Sequence, residues 1–193
     1  MDKKFIVFVS LSKLIKSLDK DKILKILSTF QSSKEPDVQT FLFDQEKKDS
    51  LALNFEIRDR SRTYLWIDTL NNEVVAYFSI AIDIIQIEGL SKNLQKKINK
   101  GFLPAEEFIF SYLIGQLGRN ERYNRSYITG KEILTYSLAK IKEAKNIVGG
   151  RLVVIDINNV YQKPKLQKFY EEFGFKKLKQ INKSLTRYYL ILK

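Results

Sequence analysis

The pattern between Phe108 and Ile155 restricts the fold of this chain more than any other feature. Phe108 to Leu117 has the composition of a strand, Gly118 to Gly130 is a polar loop, and Lys131 to Lys145 has apolar residues at helical spacing. Leu152 to Ile155 is a continuous apolar run, which is typical of a strand buried on both faces. Two strands joined through a helix in this way lie parallel, so the pattern predicts a parallel pair within a sheet.

The rest of the chain predicts more strands and helices around this pair. We expect further strands at 5–9, 63–67, 74–80, 175–179 and 185–192. We expect two helices between Leu11 and Phe30 that are broken around Asp19-Lys20-Asp21, a third over Val38 to Asp49, a short basic one over Ser91 to Lys100, and one that starts near Pro164. Because no linker or internal repeat interrupts this order, we expect one domain over residues 1–193 of the α/β (α+β) class.

Histidine and cysteine are both absent from the 193 residues. This excludes disulfides, thiolate metal sites and every mechanism that pairs a serine or cysteine with histidine. Catalysis would depend on carboxylates, tyrosine, lysine, backbone amides or water, and we expect no metal site. The net charge of +12 favours a polyanionic partner or a phosphate-bearing cofactor, although a solvated lysine-rich surface explains it equally well.

The N-terminal apolar run is short. Lys3 and Lys4 precede the sequence FIVFV, which is too brief for a signal peptide or a membrane span. We therefore expect a cytoplasmic protein without membrane association.

The loop that precedes the helix at Lys131 is suited to binding an anion. Backbone N–H groups at a helix start bind phosphates together with the helix dipole. Arg119, Arg122, Arg125 and Lys131 add positive charge at the same place. Many α/β proteins carry basic residues at such a loop, so this feature does not identify a function by itself.

A longer match does point to a family. The run Phe169-Tyr170-Glu171-Glu172-Phe173-Gly174-Phe175 closely matches the Phe-Tyr-(x)3-Gly-Phe signature of the GNAT superfamily of acyl-CoA-dependent N-acetyltransferases. Gly130 stands where the last glycine of that family's pyrophosphate loop would be. The segment from Tyr112 to Phe175 thus resembles the coenzyme A-binding half of the family. The resemblance implies a mixed, mostly antiparallel, twisted sheet with a central parallel pair and with helices on both faces.

The resemblance also implies which residues hold acetyl-CoA. In this family a strand pairs with the pantetheine arm and loop amides hold the pyrophosphate. This assigns cofactor binding to Leu117, Arg119, Arg122, Asn124, Arg125, Ser126, Thr129, Gly130, Lys131 and Asn159. The loop departs from the family pattern, because the residues from Tyr123 to Thr129 stand where two glycines are usual. Bulkier residues there weaken cofactor binding unless Arg125 replaces some amide contacts by charge.

Two catalytic roles follow from the same match. Tyr170 would be the general acid that protonates the departing coenzyme A thiolate, and a backbone amide at Gly115 or Leu117 would polarise the thioester carbonyl. Spacing by itself allows a different interpretation, because Tyr170 shares one helical face with Leu166, Phe169 and Phe173 and is equally a core candidate.

The missing histidine bears on the acceptor amine. At pH 7 an α-amine with a pKa of about 7.8 is roughly 14% neutral, whereas a lysine with a pKa of about 10.4 is roughly 0.04% neutral. An enzyme without an obvious base is therefore better suited to an α-amine, an aminoacyl ester or an amino sugar than to protein lysine. Asp156 and Glu107 are conceivable bases, although charged residues at strand ends are more often solvated.

The N-terminal half carries a second resemblance. The segments Pro36-Asp37-Val38…Phe41-Leu42, Ser61 to Leu65 and Val75 to Ser79 resemble toxin-type GNATs, which implies an aminoacyl-tRNA acceptor. Basic residues near interleaved aromatic ones agree with a tRNA partner: Arg58, Arg60, Arg62, Lys92, Lys96, Lys97 and Lys100. The alternative is a catalytically degenerate GNAT-fold module that binds RNA or a protein partner. The sequence leaves the oligomeric state open, and a homodimer is among the allowed states.

Overall fold

The computed structural model describes residues 5–102, 107–158 and 163–193. These residues form seven strands and seven helices. In chain order they are β1 Ile6–Ser10, α1 Leu11–Ser17, α2 Lys20–Leu27, α3 Pro36–Leu42, α4 Leu51–Ile57, β2 Ser61–Asp68, β3 Glu73–Gln86, α5 Lys92–Ile98, β4 Phe108–Arg119, α6 Gly130–Val148, β5 Leu152–Asn158, α7 Lys163–Glu172, β6 Lys176–Gln180 and β7 Leu185–Ile191.

The strands are hydrogen-bonded in the order β1-β2-β3-β4-β5-β7-β6. β4 and β5 are parallel, with Tyr112 opposite Val153 and Ile114 opposite Ile155. The ladders β1–β2, β2–β3, β5–β7 and β6–β7 are antiparallel. The predicted parallel pair within a mostly antiparallel sheet is therefore confirmed.

The residues group into two compact units, Met1–Ala81 with Gly115–Ala139, and Ile82–Ile114 with Lys140–Lys193. Each unit is built from two separate chain segments, because β3, β4 and α6 are each divided between them. The single domain over residues 1–193 stays a prediction.

In the first unit, helices cover both faces of β2. Leu65 and Ile67 pack with buried residues of α1 to α4, such as Leu11. Trp66 packs instead with Ile133 of α6. Because successive strand residues point to opposite faces, α1 to α4 lie on one face and α6 lies on the other. The prediction of helices on both faces is confirmed for this unit.

In the second unit, α5 covers one face of the strands. Ile98 of α5 is buried in one cluster with Ile85 of β3 and with Leu152 and Val154 of β5. These buried residues form a hydrophobic core within the second unit.

Side-chain caps explain the helix boundaries in the N-terminal region. Asp19 accepts a hydrogen bond from the Lys22 amide and starts α2, so the predicted break between two helices is confirmed. The predicted helix over Val38 to Asp49 is wrong beyond Leu42, where α3 ends. The Asp44 carboxylate accepts the amides of the next residues and forms a turn. α4 was not predicted, although its N-cap Ser50 accepts the Leu53 amide at 3.0 Å.

Two features are absent from the described residues. No helix among them is long and apolar enough to cross a membrane. No group of three or more histidine, cysteine or acidic residues among them is placed to hold a metal ion.

Candidate active site

The loop between β4 and α6 is anchored by Asn120. This side chain is fully buried and donates to the carbonyl of Thr29 at 3.0 Å and to that of Val74 at 2.7 Å. Its oxygen accepts the Arg122 amide at 3.1 Å. Asn120 therefore fixes the first turn of the loop to the core of the first unit. It was not among the predicted site residues, because its partners are distant in the sequence.

Arg122 and Tyr123 are held in a polar cluster of the same unit. Arg122 pairs with Glu73 at 2.8 Å, and the Tyr123 hydroxyl lies 3.0 Å from Glu73 and 3.1 Å from Asp68. Burial, followed by these carboxylates, raises the pKa of Tyr123 well above its usual range. The structure thus engages Arg122 with a protein carboxylate. The Tyr123 ring is buried and supports the loop from within.

A reciprocal cap closes the loop at the start of α6. The Thr129 amide and hydroxyl both donate to the Glu132 carboxylate, at 2.7 and 2.8 Å, and the Glu132 amide donates to the Thr129 hydroxyl at 3.1 Å. This is a capping box, whose signature of threonine followed three residues later by glutamate can be read in the sequence. This cap was not among the predicted features. Its consequence is that a carboxylate of the chain itself lies at the helix start where a pyrophosphate was expected.

Arg119 and Arg125 provide the positive charge that suits a bound anion. Nη1 of Arg119 is buried and has no hydrogen-bond partner among the described residues. Burial, and then the nearby Arg125, lower the pKa of the Arg119 guanidinium. Both effects indicate a cation whose charge is not compensated by the protein. A pyrophosphate would supply the missing acceptor, so these two residues fit the phosphate end of coenzyme A.

The other predicted contacts of the loop lie at its surface. The Asn124 side chain accepts the Ser126 amide at 2.9 Å, which makes a small turn of exposed residues. Gly130 and Lys131 are exposed at the first turn of α6. Asn159 lies outside the described residues.

Gly115 of β4 is exposed, and a Cβ added there would have the Ser79 carbonyl oxygen as its nearest neighbour, 4.0 Å away. Leu117 packs with the cluster of the first unit that contains Phe78 of β3. The role of a backbone amide at Gly115 or Leu117 stays a prediction.

Tyr170 lies in the second unit and is only 4% exposed. Its ring makes edge contacts with Phe169 at 5.1 Å and with Phe175 at 5.8 Å between centroids. The Phe175 amide also donates to the Tyr170 carbonyl at 3.1 Å, which closes the helix. The signature run thus packs on itself, as the core interpretation of Tyr170 predicted, and its catalytic role stays a prediction.

The carboxylate of Asp156 is engaged by an arginine. Arg187 binds it with two bonds of 2.7 Å and also lies 2.7 Å from Asp83. The hydrogen bonds to Asp156 are the largest cause that raises the pKa of the Arg187 guanidinium, so this cation stays charged. A carboxylate held in such a fork is poorly placed to accept a proton from a substrate. Glu107 is exposed, and its carbonyl accepts the Ile87 amide at 2.9 Å.

The predicted basic surface is only partly available for a polyanion. Arg62 lies 2.6 Å from Asp59 and 3.6 Å from the buried Glu56. Arg60 lies 5.9 Å above the Phe55 ring. The four lysines predicted on and after α5 are all exposed: Lys92, Lys96, Lys97 and Lys100. Carboxylates therefore neutralise part of the arginine group, whereas the lysines remain at the surface.

No protein-family model and no curated protein matches the sequence. Solved structures do match its fold. A tyrosine-to-phenylalanine mutant of the toxin AtaT, bound to the C-terminus of the antitoxin AtaR and to acetyl-CoA, is 14% identical with a TM-score of 0.62, over 97% of this chain and 94% of that chain. AtaT complexed with acetyl-methionyl-tRNAfMet is 18% identical with a TM-score of 0.64, over 94% of this chain and 93% of that chain. A tyrosine-to-phenylalanine mutant of KacT is 16% identical with a TM-score of 0.66, over 96% of this chain and 95% of that chain.

At sequence identities of 14%, 18% and 16%, these similarities establish the fold of the chain. The chain has the fold of these toxins along almost its whole length, and the predicted likeness to toxin-type GNATs is confirmed at that level.

Proposed function

We propose that the protein is an N-acetyltransferase that moves an acetyl group from acetyl-CoA to the α-amine of an aminoacyl-tRNA. The observation that carries the proposal is the buried Nη1 of Arg119, which lies beside Arg125 at the end of the strand that leads into α6 and has no hydrogen-bond partner among the described residues. AtaT, which has the same fold, was solved with acetyl-CoA and with acetyl-methionyl-tRNAfMet. The environment of Arg119 therefore supports the binding of a phosphate at this loop, and the similarity to AtaT supports a tRNA acceptor.

Three groups of residues have separate roles in acetyl transfer. Arg119 and Arg125 bind the pyrophosphate of acetyl-CoA, which supplies the activated acetyl group. A backbone amide of β4 at Gly115 or Leu117 polarises the thioester carbonyl and stabilises the charge that develops on its oxygen. Tyr170 donates its proton to the sulfur as the C–S bond breaks and the new C–N bond forms.

The acceptor is an α-amine because the chain offers no evident base for a lysine. Histidine is absent, and Asp156 is held by Arg187. An α-amine is already partly neutral at pH 7, so water suffices to remove its proton. The exposed lysines of α5 support a polyanionic acceptor, and we place the reaction in the cytoplasm, where charged tRNA is found.

Binding of acetyl-CoA tests the first part of the proposal. Isothermal titration should give a dissociation constant in the micromolar range for the wild type and at least a tenfold weaker one for Arg119→Ala. The matched control is Arg122→Ala, an arginine of the same loop that pairs with Glu73, which should weaken binding much less. Absence of binding at millimolar acetyl-CoA would leave the degenerate GNAT-fold module as the better interpretation. The capping box of Thr129 with Glu132 is the observation that favours it.

Transfer itself tests the second part. Purified protein should transfer labelled acetyl from acetyl-CoA to aminoacyl-tRNA and leave a lysine-containing peptide unlabelled. Tyr170→Phe should lower turnover strongly while acetyl-CoA still binds; an equal loss of both would make Tyr170 a core residue. Binding of tRNA should weaken as salt rises from about 50 to 200 mM, as expected when phosphates are neutralised.

A further inference from the structure

Three charged side chains from separate strands meet within the second unit. Arg187 of β7 binds both carboxylate oxygens of Asp156 of β5, and its Nη1 lies 2.7 Å from Oδ2 of Asp83 of β3. We call these three residues the charged cluster. Arg187 and Asp156 stand directly opposite each other in the β5–β7 ladder. Because β4 lies between β3 and β5 in the sheet, the charged cluster extends across β4.

The charged cluster lies beside the hydrophobic core of the second unit and is open to ligands. Each member stands two residues from a residue that packs in this core, and strand residues two apart share a face of the sheet. The side chains of Arg187, Asp83 and Asp156 are 14%, 28% and 23% exposed. A ligand can therefore reach the charged cluster, while the partial burial screens its charge less than bulk water would.

The position of Asp156 in the sheet is one where ligands bind. The parallel pairing of β4 with β5 extends to Ile114 and Ile155, and Asp156 is the next residue of β5. In α/β sheets, ligands bind in the crevice outside the carboxyl ends of parallel strands. A ligand that enters at this end of the pair therefore meets the charged cluster.

The charged cluster has a negative excess. Two carboxylates share one guanidinium, which leaves one net negative charge. Oδ2 of Asp83 is buried and accepts no hydrogen bond among the described residues, although Nη1 of Arg187 is near, and Oδ1 accepts the Ile84 amide at 2.9 Å. In a chain of net charge +12, this local excess disfavours a phosphate and favours a cationic group.

The amine of the proposed acceptor is such a cation. An α-amine with a pKa of about 7.8 is roughly 86% protonated at pH 7, and acetylation turns it into a neutral amide. A negative site therefore binds the substrate more tightly than the product, which favours product release. Arg187 limits the excess to one charge, so the ammonium is attracted while its proton can still leave to water.

We propose that the charged cluster binds the α-ammonium group of the aminoacyl-tRNA, with Asp83 as the contacting carboxylate, and that it distinguishes the free amine from the acetylated product. Arg187 holds Asp83 in place beside Asp156. This role depends on the proposed aminoacyl-tRNA acceptor, but binding measured without acetyl-CoA tests it separately from acetyl transfer.

Fluorescence anisotropy with a panel of aminoacyl-tRNAs that includes methionyl-tRNA, each paired with its chemically N-acetylated form, measures this preference. For the acceptor that binds best, the wild type should bind the free-amine form at least about fivefold more tightly than the acetylated form. Asp83→Asn should bring this ratio close to one and leave the affinity for the acetylated form unchanged, which also shows that the variant is folded. Asp83→Glu keeps the charge and should retain the preference.

Glu143→Gln is the matched control, because it changes the charge of the second unit by the same amount at a distant pair. Glu143 is 62% exposed and lies 2.7 Å from Lys140 of the same helix. This variant should keep the wild-type ratio.

Three results would overturn the role of the charged cluster even if acetyl transfer is observed. They are equal binding of both tRNA forms by the wild type, a preference that survives Asp83→Asn, and an equal loss of both forms in Asp83→Asn, which would make Asp83 structural. A wild type that prefers the free amine but transfers no acetyl would contradict the proposed function and leave the ammonium site standing. Absence of binding of every tRNA in the panel would overturn both.

Discussion

Replacing Asn120 by alanine should destabilise the protein far more than any other polar truncation in the loop before α6. Its side chain donates to the carbonyls of Thr29 and Val74 and accepts the Arg122 amide, and it is fully buried. Each such hydrogen bond contributes about 0.5–1.5 kcal/mol net, and buried groups left without partners add to the loss. We expect a total of about 3 kcal/mol for Asn120→Ala. In a chain of this size that corresponds to a fall in Tm of roughly 6–12 °C.

Asn124→Ala is the matched control in the same loop. Asn124 is exposed and its side chain accepts hydrogen bonds from the nearby Ser126, so its loss should lower the free energy of unfolding by less than about 0.5 kcal/mol. Thermal and urea denaturation followed by circular dichroism measure both variants. Acetyl-CoA titration of the same samples should show weaker binding for Asn120→Ala, since the start of the loop is no longer fixed. Equal stability of the two variants would refute the role of Asn120 as the anchor.

Two further substitutions test other parts of the first unit. Gly118→Ala should lower the free energy of unfolding by about 1–3 kcal/mol, because the added Cβ would lie 2.6 Å from Cγ1 of the buried Val38. Gly115→Ala is the control and should be nearly neutral in stability, because the nearest neighbour of its Cβ would be 4.0 Å away. Equal midpoints of urea denaturation for the two variants would contradict this packing. Burial raises the pKa of the Glu56 carboxyl, so its ionised form weakens the fold as the pH rises above the ordinary value for glutamate. The Tm of Glu56→Gln relative to wild type should therefore increase between about pH 4 and pH 7. A difference that is constant or decreases over that range would contradict the assignment.

Local patterns in the sequence were sufficient for the elements that depend on near neighbours. The apolar run Leu152 to Ile155 and the helical spacing after Lys131 predicted the parallel pair, because a strand, a helix and a returning strand can pack in few ways. The break at Asp19 was predicted for the same local reason, since an N-cap bonds to an amide three residues away. The capping box of Thr129 with Glu132 has an equally local signature, although it was not among the predicted features.

Contacts between distant residues required the tertiary structure. Nothing near Arg122 in the sequence indicates that Glu73 pairs with it, or that a buried nitrogen of Arg119 lacks a hydrogen-bond partner in the described part of the chain. The apolar residues of β4 are a second example, because the sequence of an apolar strand does not indicate which of its faces other residues cover. Hydrophobic periodicity and capping arise from neighbours within about one helical turn, so the sequence by itself determined most of the elements and their order, although it did not predict α4. Which charges are compensated, and which side of an apolar strand is buried, depends on residues brought together from distant parts of the chain, and only the folded structure decides it.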